Sequence, residues 1–469
     1  MNKMIWPSLV GVTLLSACSL MPNYQRPALP VPDQWPDGLA ANSEKDSNKP
    51  FSDMGWEQFF SEKTLQDLIT LALNNNRDLR VVALDIEQAR AQLGIRSADL
   101  GPTVNAQAAG SRVPTSNGGT SSSYTAGLIV TAYELDFFGR VASLKEQALA
   151  QYLATTEAKQ TAQLSLISTV AQSWLGLLAD EAMLAEARQT LASREESLRL
   201  VALKLHHGAA SELDLRLAQT LTEAARVTLA QQTQKRALDE NAMVLLLGQP
   251  LPPAARAVLS GPNPSAPRFA EFPAGLPSDL LTRRPDVRAA EQSLIASNAS
   301  IGAARAAFFP RISLTAGAGS ASSELAGLFK DGSWGFTFAP QLVLPIFDMG
   351  RNQANLDATE AAQKIALAQY ERAIQSAFRE VADALATRST LAQQLQAQTA
   401  LLTAETERSR LTRLRYDNGA ASALDWLDAQ RSLFSAKQAL IQTRLAYQQN
   451  QVLFFKAVGG ATTAPMTKM

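Results

Sequence analysis

The sequence holds one cysteine, Cys18, and two histidines, His206 and His207, so it has no disulfide framework and little with which to build a zinc site. Charge of one sign is missing as well: 43 Lys and Arg balance 43 Asp and Glu, which disfavours nucleic acid or any other polyanion as partner. Aromatic residues are only 6%, and the helical runs are rich in Ala, Gln and Leu. Such helices pack closely in long, thin layers rather than around a thick globular core. No Gly-rich phosphate loop follows a strand, and no nucleophile is flanked by a histidine and a third group. An enzyme is therefore not expected, and no cofactor or metal is implied. His206 and His207 beside Glu212 and Asp214 form the one metal-like cluster, but adjacent histidines at a helix end do not converge easily on one ion. Proline is absent from the long helical runs: nine of 22 lie in Pro250–Pro285 and seven precede Phe51, which marks both stretches as irregular belt and linker.

What is present begins with an export signal. Lys3 precedes an apolar run from Met4 to Leu15, too short to span a membrane, that ends in Leu-Ser-Ala-Cys. That ending resembles the bacterial lipoprotein signal, in which Cys18 is lipidated and becomes the new N-terminus; Ser19 after it implies sorting to the outer membrane. An ordinary signal peptide with an incidental cysteine is the other reading. Residues 1–17 are thus a signal peptide and 18–63 a lipidated, extended segment, whose PNYQRPALPVPDQWP cannot be helical.

The remainder is written twice. GAASELD, Gly208 to Asp214, returns as GAASALD, Gly419 to Asp425, at an offset of 211 residues. The same offset pairs Leu247-Gly248 with Val458-Gly459 and Gly139-Arg140 with Gly350-Arg351. At an offset of 208, Asp78 and Arg80 answer Asp286 and Arg288, Gly94 answers Gly302, and Pro102 answers Pro310. Landmarks in constant register mean a duplicated unit, and one of roughly 175 residues is far longer than a solenoid repeat, so the chain is one fold in two halves. The halves are 64–249 and 286–460, joined by the linker 250–285 and followed by a tail, 461–469.

Each half opens on a helix, 64–98 or 286–306, and continues into a β-hairpin, 103–135 or 311–344. In the first hairpin Tyr124, Ala126, Leu128, Val130 and Ala132 line one face, with Thr125, Gly127 and Thr131 largely making up the other. In the second, Ile312, Leu314, Ala316 and Ala318, then Trp334, Phe336, Phe338, Pro340, Leu342 and Leu344, alternate with small or polar residues. Strands of about ten residues with one apolar face suit a membrane barrel or a soluble sheet covering a core. Four strands cannot close a barrel, and an open edge in lipid leaves backbone groups unpaired, so a membrane reading requires a dimer of eight strands or a trimer of twelve.

Long helices follow. Arg140 to His207 and Asn352 to Asp417 run out, interrupted only by Gly176 in the first, and return limbs from Leu213 to Leu247 and Ala423 to Ala457 complete helical hairpins over 140–247 and 351–457. Trp426, Leu433, Leu440, Tyr447 and Phe454 recur every seven residues, with Ala429, Ala436, Thr443 and Asn450 three further on. That spacing is a coiled-coil seam. At the turns Gly208 and Gly419 permit a reversal, Ser211 and Ser422 cap the returning helices, and Asp214 and Asp425 take the N3 position. Capping does not account for Asp428, which shares a helix face with Asp425. In a symmetric trimer each would become a ring of three carboxylates.

The LSAC signal, PNYQRPALPVP, GWEQFF, LALNNNRDLR, RRPDVRAAEQ, IGAARAAFFPRISL, LPIFDMGR and YDNGAASALDWLDAQ, in that order, resemble the TolC-type outer-membrane efflux channels, in particular the lipidated OprM-like, NodT-type branch of resistance-nodulation-division systems. The resemblance implies a mainly α protein with membrane β: a homotrimer, lipid-anchored and spanning the outer membrane through a 12-stranded barrel, with a periplasmic α-helical tunnel. It implies a periplasmic adaptor and an inner-membrane resistance-nodulation-division pump as partners, and passive export of drugs or other toxic small molecules. Asp425, Asp428, Tyr416 and Asp214 take the places of gate residues, and Gly208, Ala209, Ser211, Leu213, Gly419, Ala420, Ser422 and Leu424 those of the adaptor-docking surface. Ala421 stands where the prototype has a gate arginine, leaving Arg413 or Arg415 as substitutes. The rival expectation is a lipid-anchored periplasmic coiled-coil scaffold without a pore.

Overall fold

A computed structural model describes residues 20–32, 35, 54–261, 269–270 and 278–460; Cys18 and the signal sequence lie outside them. The elements are α1 (Trp56–Phe59), α2 (Lys63–Asn75), α3 (Arg77–Ala98), β1 (Val104–Pro114), β2 (Thr120–Leu135), α4 (Arg140–His206), α5 (Glu212–Leu247), α6 (Pro253–Leu259), α7 (Pro285–Ala306), β3 (Arg311–Ser322), β4 (Trp334–Val343), α8 (Arg351–Asp417) and α9 (Ala423–Ala457), with short 3₁₀ turns at Ser278–Arg283 and Leu325–Gly327. The sequence helix over 64–98 is in fact two. Asn76 breaks it: its Nδ2 donates to the carbonyl of Leu246 on α5 (3.0 Å) and its Oδ1 accepts from the Leu79 amide (2.9 Å), capping α3. Nor is the linker wholly irregular, since Pro252 and Pro253 start α6, where a missing N–H is harmless.

Packing divides the chain into two compact units, and neither is a sequence half. One combines Leu84–Ala158 with Arg288–Ala373, the other Pro30–Ala83, Lys159–Val287 and the chain from Ile374 on. Equivalent elements of the two halves thus pack together, and α4 and α8 each contribute to both units.

The first unit holds the sheet, an antiparallel meander in the order β1-β2-β3-β4 that joins the halves where β2 pairs with β3. At its base Glu134 accepts from Arg140 (2.7 Å) and pairs with Arg311 (2.6 Å), tying β2 to α4 and β3. The extended N-terminal segment lies along α7. Arg26 forks onto Glu291 with two bonds of 2.7 Å, Tyr24 donates to the same carboxylate (3.0 Å), and Asn298 donates to the Pro22 carbonyl (2.7 Å). Gly302 permits this approach, because a Cβ there would stand 2.9 Å from the Met21 Cα.

In the second unit the fully buried Phe59 stacks on Phe455 at 4.6 Å and meets Phe60 edge-on at 4.8 Å. Leu65, Leu68 and Ile69 of α2 are buried beside Met243 and Leu247 of α5 among the core residues. On the heptad seam Trp426, Leu440 and Phe454 are buried, as are the small Ala429 and Ala436, while Leu433 and Tyr447 are half-buried. Asn450 is satisfied by donating to the Ala384 carbonyl of α8 (3.1 Å). Among the described residues one helix, α4, has an 18-residue stretch apolar enough to cross a membrane, but 56% of it is buried. The stretch is core, so the membrane element has to be sought in the sheet.

Candidate functional site

The register sorts the sheet into two faces. Val104, Val130, Ala316 and Phe338 form one cross-strand row, and Ala106, Leu128, Ala318 and Phe336 the next, with Trp334 and Leu342 on the same side. The alternate row, Asn105, Ile129, Gly317 and Thr337, belongs to the other face, which also carries Gln107, Thr125, Ser123, Ser313 and Gln341. Apart from Val113, Ile129 and Val343 that second face is small or polar. Ala132 leaves the face the alternation gives it. A bulge between Val130 and Tyr133 puts Ala132 at φ 51°, its amide donates to Thr315 Oγ1 (3.2 Å), and Tyr133 and Leu135 continue the apolar side. No described residue covers the apolar face: Leu128, Trp334, Phe336, Phe338 and Leu342 are all exposed. Among the described residues β1 pairs only with β2 and β4 only with β3, so both outer edges are open. An uncovered apolar face on a sheet with two open edges fits lipid on that face and further strands at the edges.

At the two helical turns the duplicated heptapeptide gives matching geometry. Gly208 (φ 72°) and Gly419 (φ 73°) end α4 and α8; the Ala209 and Ala420 amides each donate 2.8 Å bonds back to the carbonyls of Lys204 and Arg415. A Cβ at either glycine meets nothing within 4 Å, so positive φ rather than space requires glycine there. Ser211 accepts from the Asp214 amide (3.1 Å) while Asp214 accepts from the Ser211 amide (3.0 Å), and Ser422 with Asp425 repeats both distances. These are complete capping boxes. The serine hydroxyl and amide bonds hold both carboxyls below the usual carboxylate range. Replacing Ser211 with Ala is expected to destabilise the start of α5 by about 1 kcal/mol, seen as faster amide exchange over 212–216, with the same direction at Ser422 and α9. Leu213 and Leu424 project from the turns, 77% and 59% exposed.

The remaining gate candidates have partners that the sequence pattern does not reveal. Tyr416 stacks on Trp426 (4.9 Å, 17°) and accepts from Lys204 Nζ of α4 (3.0 Å), which also lies 4.1 Å from the ring centroid. Asp214 is occupied by its own cap and is not brought to Tyr416. Asp428 pairs with Arg431 on its own helix (2.6 Å) and with Arg408 of α8 (3.6 Å). Neither arginine considered as a substitute bridges helices: Arg413 pairs with Asp417 one turn on (3.8 Å), and Arg415 donates to the Ala420 carbonyl (3.1 Å). Arg408 does bridge them, from α8 to Asp428 on α9. It lies 20 residues from Asp428 along the chain, so no local motif announces it.

A duplicated helical-hairpin chain whose four-stranded sheet offers an unclad apolar face and two open edges defines a subunit of an outer-membrane channel. The chain belongs to the outer membrane efflux protein family, whose sequence profile matches residues 68–249 and 276–460. It is 46% identical over 468 residues to the probable efflux pump outer membrane protein TtgC of Pseudomonas putida, spanning 98% of this chain and 96% of that one. It is 45% identical to the outer membrane protein OprJ of Pseudomonas aeruginosa, with 96% and 94% covered. Among solved structures, the open state of the Neisseria gonorrhoeae MtrE outer membrane channel is similar at a TM-score of 0.85 and 37% identity, covering 96% of this chain and all of that one. A membrane protein from Pseudomonas aeruginosa is similar at a TM-score of 0.88 and 42% identity, with 96% and 99% covered. The chain is an outer-membrane channel component of an efflux pump, and the poreless scaffold is set aside. Its relatives are transport channels rather than enzymes.

Proposed function

We propose that three copies assemble into a passive exit duct, with a 12-stranded barrel in the outer membrane and a helical tunnel in the periplasm, anchored by a lipid on Cys18. The sheet carries this reading: four strands with two open edges need neighbours, and twelve leave room for a polar lumen that eight do not. A periplasmic adaptor docks on the exposed turn residues Gly208, Ala209, Ser211, Leu213, Gly419, Ala420, Ser422 and Leu424, and a resistance-nodulation-division pump supplies the work. The cargo is a set of small, largely apolar toxic molecules; among the relatives, one is named for antibiotics, another for toluene and a third for solvents.

The duct is shut at its periplasmic turns by Asp425 and Asp428, with Tyr416 holding α4, α8 and α9 together through Lys204 and Trp426 and Asp214 fixing the other turn through its cap. The Arg408 pairing with Asp428 links α8 to α9 within a chain and takes the part of a clasp. In planar bilayers, the double change Asp425→Ala and Asp428→Ala is expected to raise single-channel conductance several-fold and weaken cation preference. Ser422→Ala is the control, because it loosens the same cap without removing charge. Unchanged conductance in the double variant takes both aspartates out of the gate, and a monomeric mass for the full-length protein in mild detergent removes the duct itself.

A further inference from the structure

A cleft of about 130 Å³ separates α4 from α9, lined by Gln189, Ser193 and Arg194 on one side and Gln430, Phe434 and Lys437 on the other. Arg194 is only 5% exposed, and its Nη1 is buried with no hydrogen-bond partner. A guanidinium stays protonated even so. Burial, and then the nearby charge of Arg431, both act against that protonated form, and no carboxylate of the described residues acts for it. Around it, Arg408 and Arg431 share Asp428, and Lys437 holds Glu186 at 2.7 Å. Arg194 has no such carboxylate among the described residues, and its charge is buried in the wall of a cavity. Beside it Gln430 Oε1 is also buried without a partner. A donor that needs an anion and an acceptor that needs a proton therefore face the same small space. Drug-sized ligands fill cavities of roughly 300 Å³ or more, so this one is too small for the cargo.

We propose that the cleft binds a small inorganic oxyanion carrying a proton, of which hydrogen phosphate is the simplest, with Arg194 as its main ligand. An anion oxygen accepts from the guanidinium, the remaining O–H donates to Gln430, and Lys437 stands at the rim. Bound there, the anion bridges α4 to α9 and stiffens the helix pair a few turns above the reversals at Gly208 and Gly419.

The test is calorimetric titration of sodium phosphate into the full-length protein in detergent micelles at neutral pH, against sodium chloride at matched ionic strength. One saturable phosphate per chain is expected, with a thermal midpoint that rises with phosphate and not with chloride. Arg194→Met keeps the apolar stem and should abolish both effects; without phosphate it should melt above the unaltered protein, because an uncompensated charge has gone. Gln430→Leu should weaken the phosphate affinity about fivefold while leaving the fold intact. No saturable binding to the unaltered protein overturns the proposal, as does an adventitious interaction that persists in Arg194→Met or an affinity that Gln430→Leu leaves unchanged. A phosphate-free Arg194→Met protein that melts lower also overturns it, since the guanidinium then has a partner in the assembled protein.

Discussion

Replacing Phe338 with Arg is expected to remove the protein from the outer membrane, whereas replacing Thr337 with Arg leaves it there. The two residues are consecutive on β4 and point to opposite faces. Phe338 continues the row Val104, Val130, Ala316 and is 65% exposed in the single chain; Thr337 continues the row Asn105, Ile129, Gly317. Phe338 lies near the middle of a ten-residue strand, where an arginine facing lipid destabilises a barrel by about 2–4 kcal/mol. The penalty is met three times in a trimer. An arginine at position 337 faces water, so the barrel forms and the effect passes to conduction: lower conductance and a shift towards anions. Membrane fractionation, urea extraction and bilayer recordings on the two variants read these outcomes. Equal loss of both proteins from the membrane fraction contradicts the assignment of the faces, and equal retention contradicts the membrane role of the sheet.

Much of this was legible in the sequence because it depends on local period and on repetition. The four strands, the two long helices and the two capped turns rest on alternation, on prolines confined to other segments and on the doubled GAAS motif. What was not legible depends on atoms distant in the chain. The break at Asn76 needs the Leu246 carbonyl, which α5 delivers, and NNN within a helical run does not announce that partner. The bulge at Ala132 follows from pairing with β3 from the other half, so the period of β2 alone runs straight through it. The proposed gate is the sharpest case. Asp214 and Asp425 could be placed from the heptapeptide and Asp428 from its spacing to Asp425, but Arg408 reaches Asp428, and Lys204 and Trp426 reach Tyr416, only because α4, α8 and α9 pack side by side. Duplication conceals as well as reveals: it points to two equal halves, while the packing units take equivalent pieces from both.

Arg284 fastens α8 and α9 to the start of α7, and losing it is the second large expected effect. It stands at the start of α7 with its side chain 6% exposed. Its Nη1 donates to the Ala457 carbonyl at the end of α9 (2.6 Å), Nε and Nη2 fork onto Asp286 (3.0 and 2.7 Å), and Nη2 reaches Glu380 of α8 (2.8 Å). Burial works against the charge, yet the two carboxylates outweigh it and hold the guanidinium more firmly protonated than usual. Removing one partner of a buried ion pair costs about 3–5 kcal/mol. Asp286 and Glu380 are 36% and 41% exposed and regain water, so Arg284→Met should fall lower, at about 2–3 kcal/mol, most of it from the stranded Ala457 carbonyl and the opened junction. Arg284→Lys should recover little, because an ammonium cannot make a fork and a third bond together. Thermal melting and limited proteolysis of the periplasmic helices measure this. A Lys variant as stable as the parent would mean that charge alone, and not the three-way geometry joining α7, α8 and α9, holds the second unit together there.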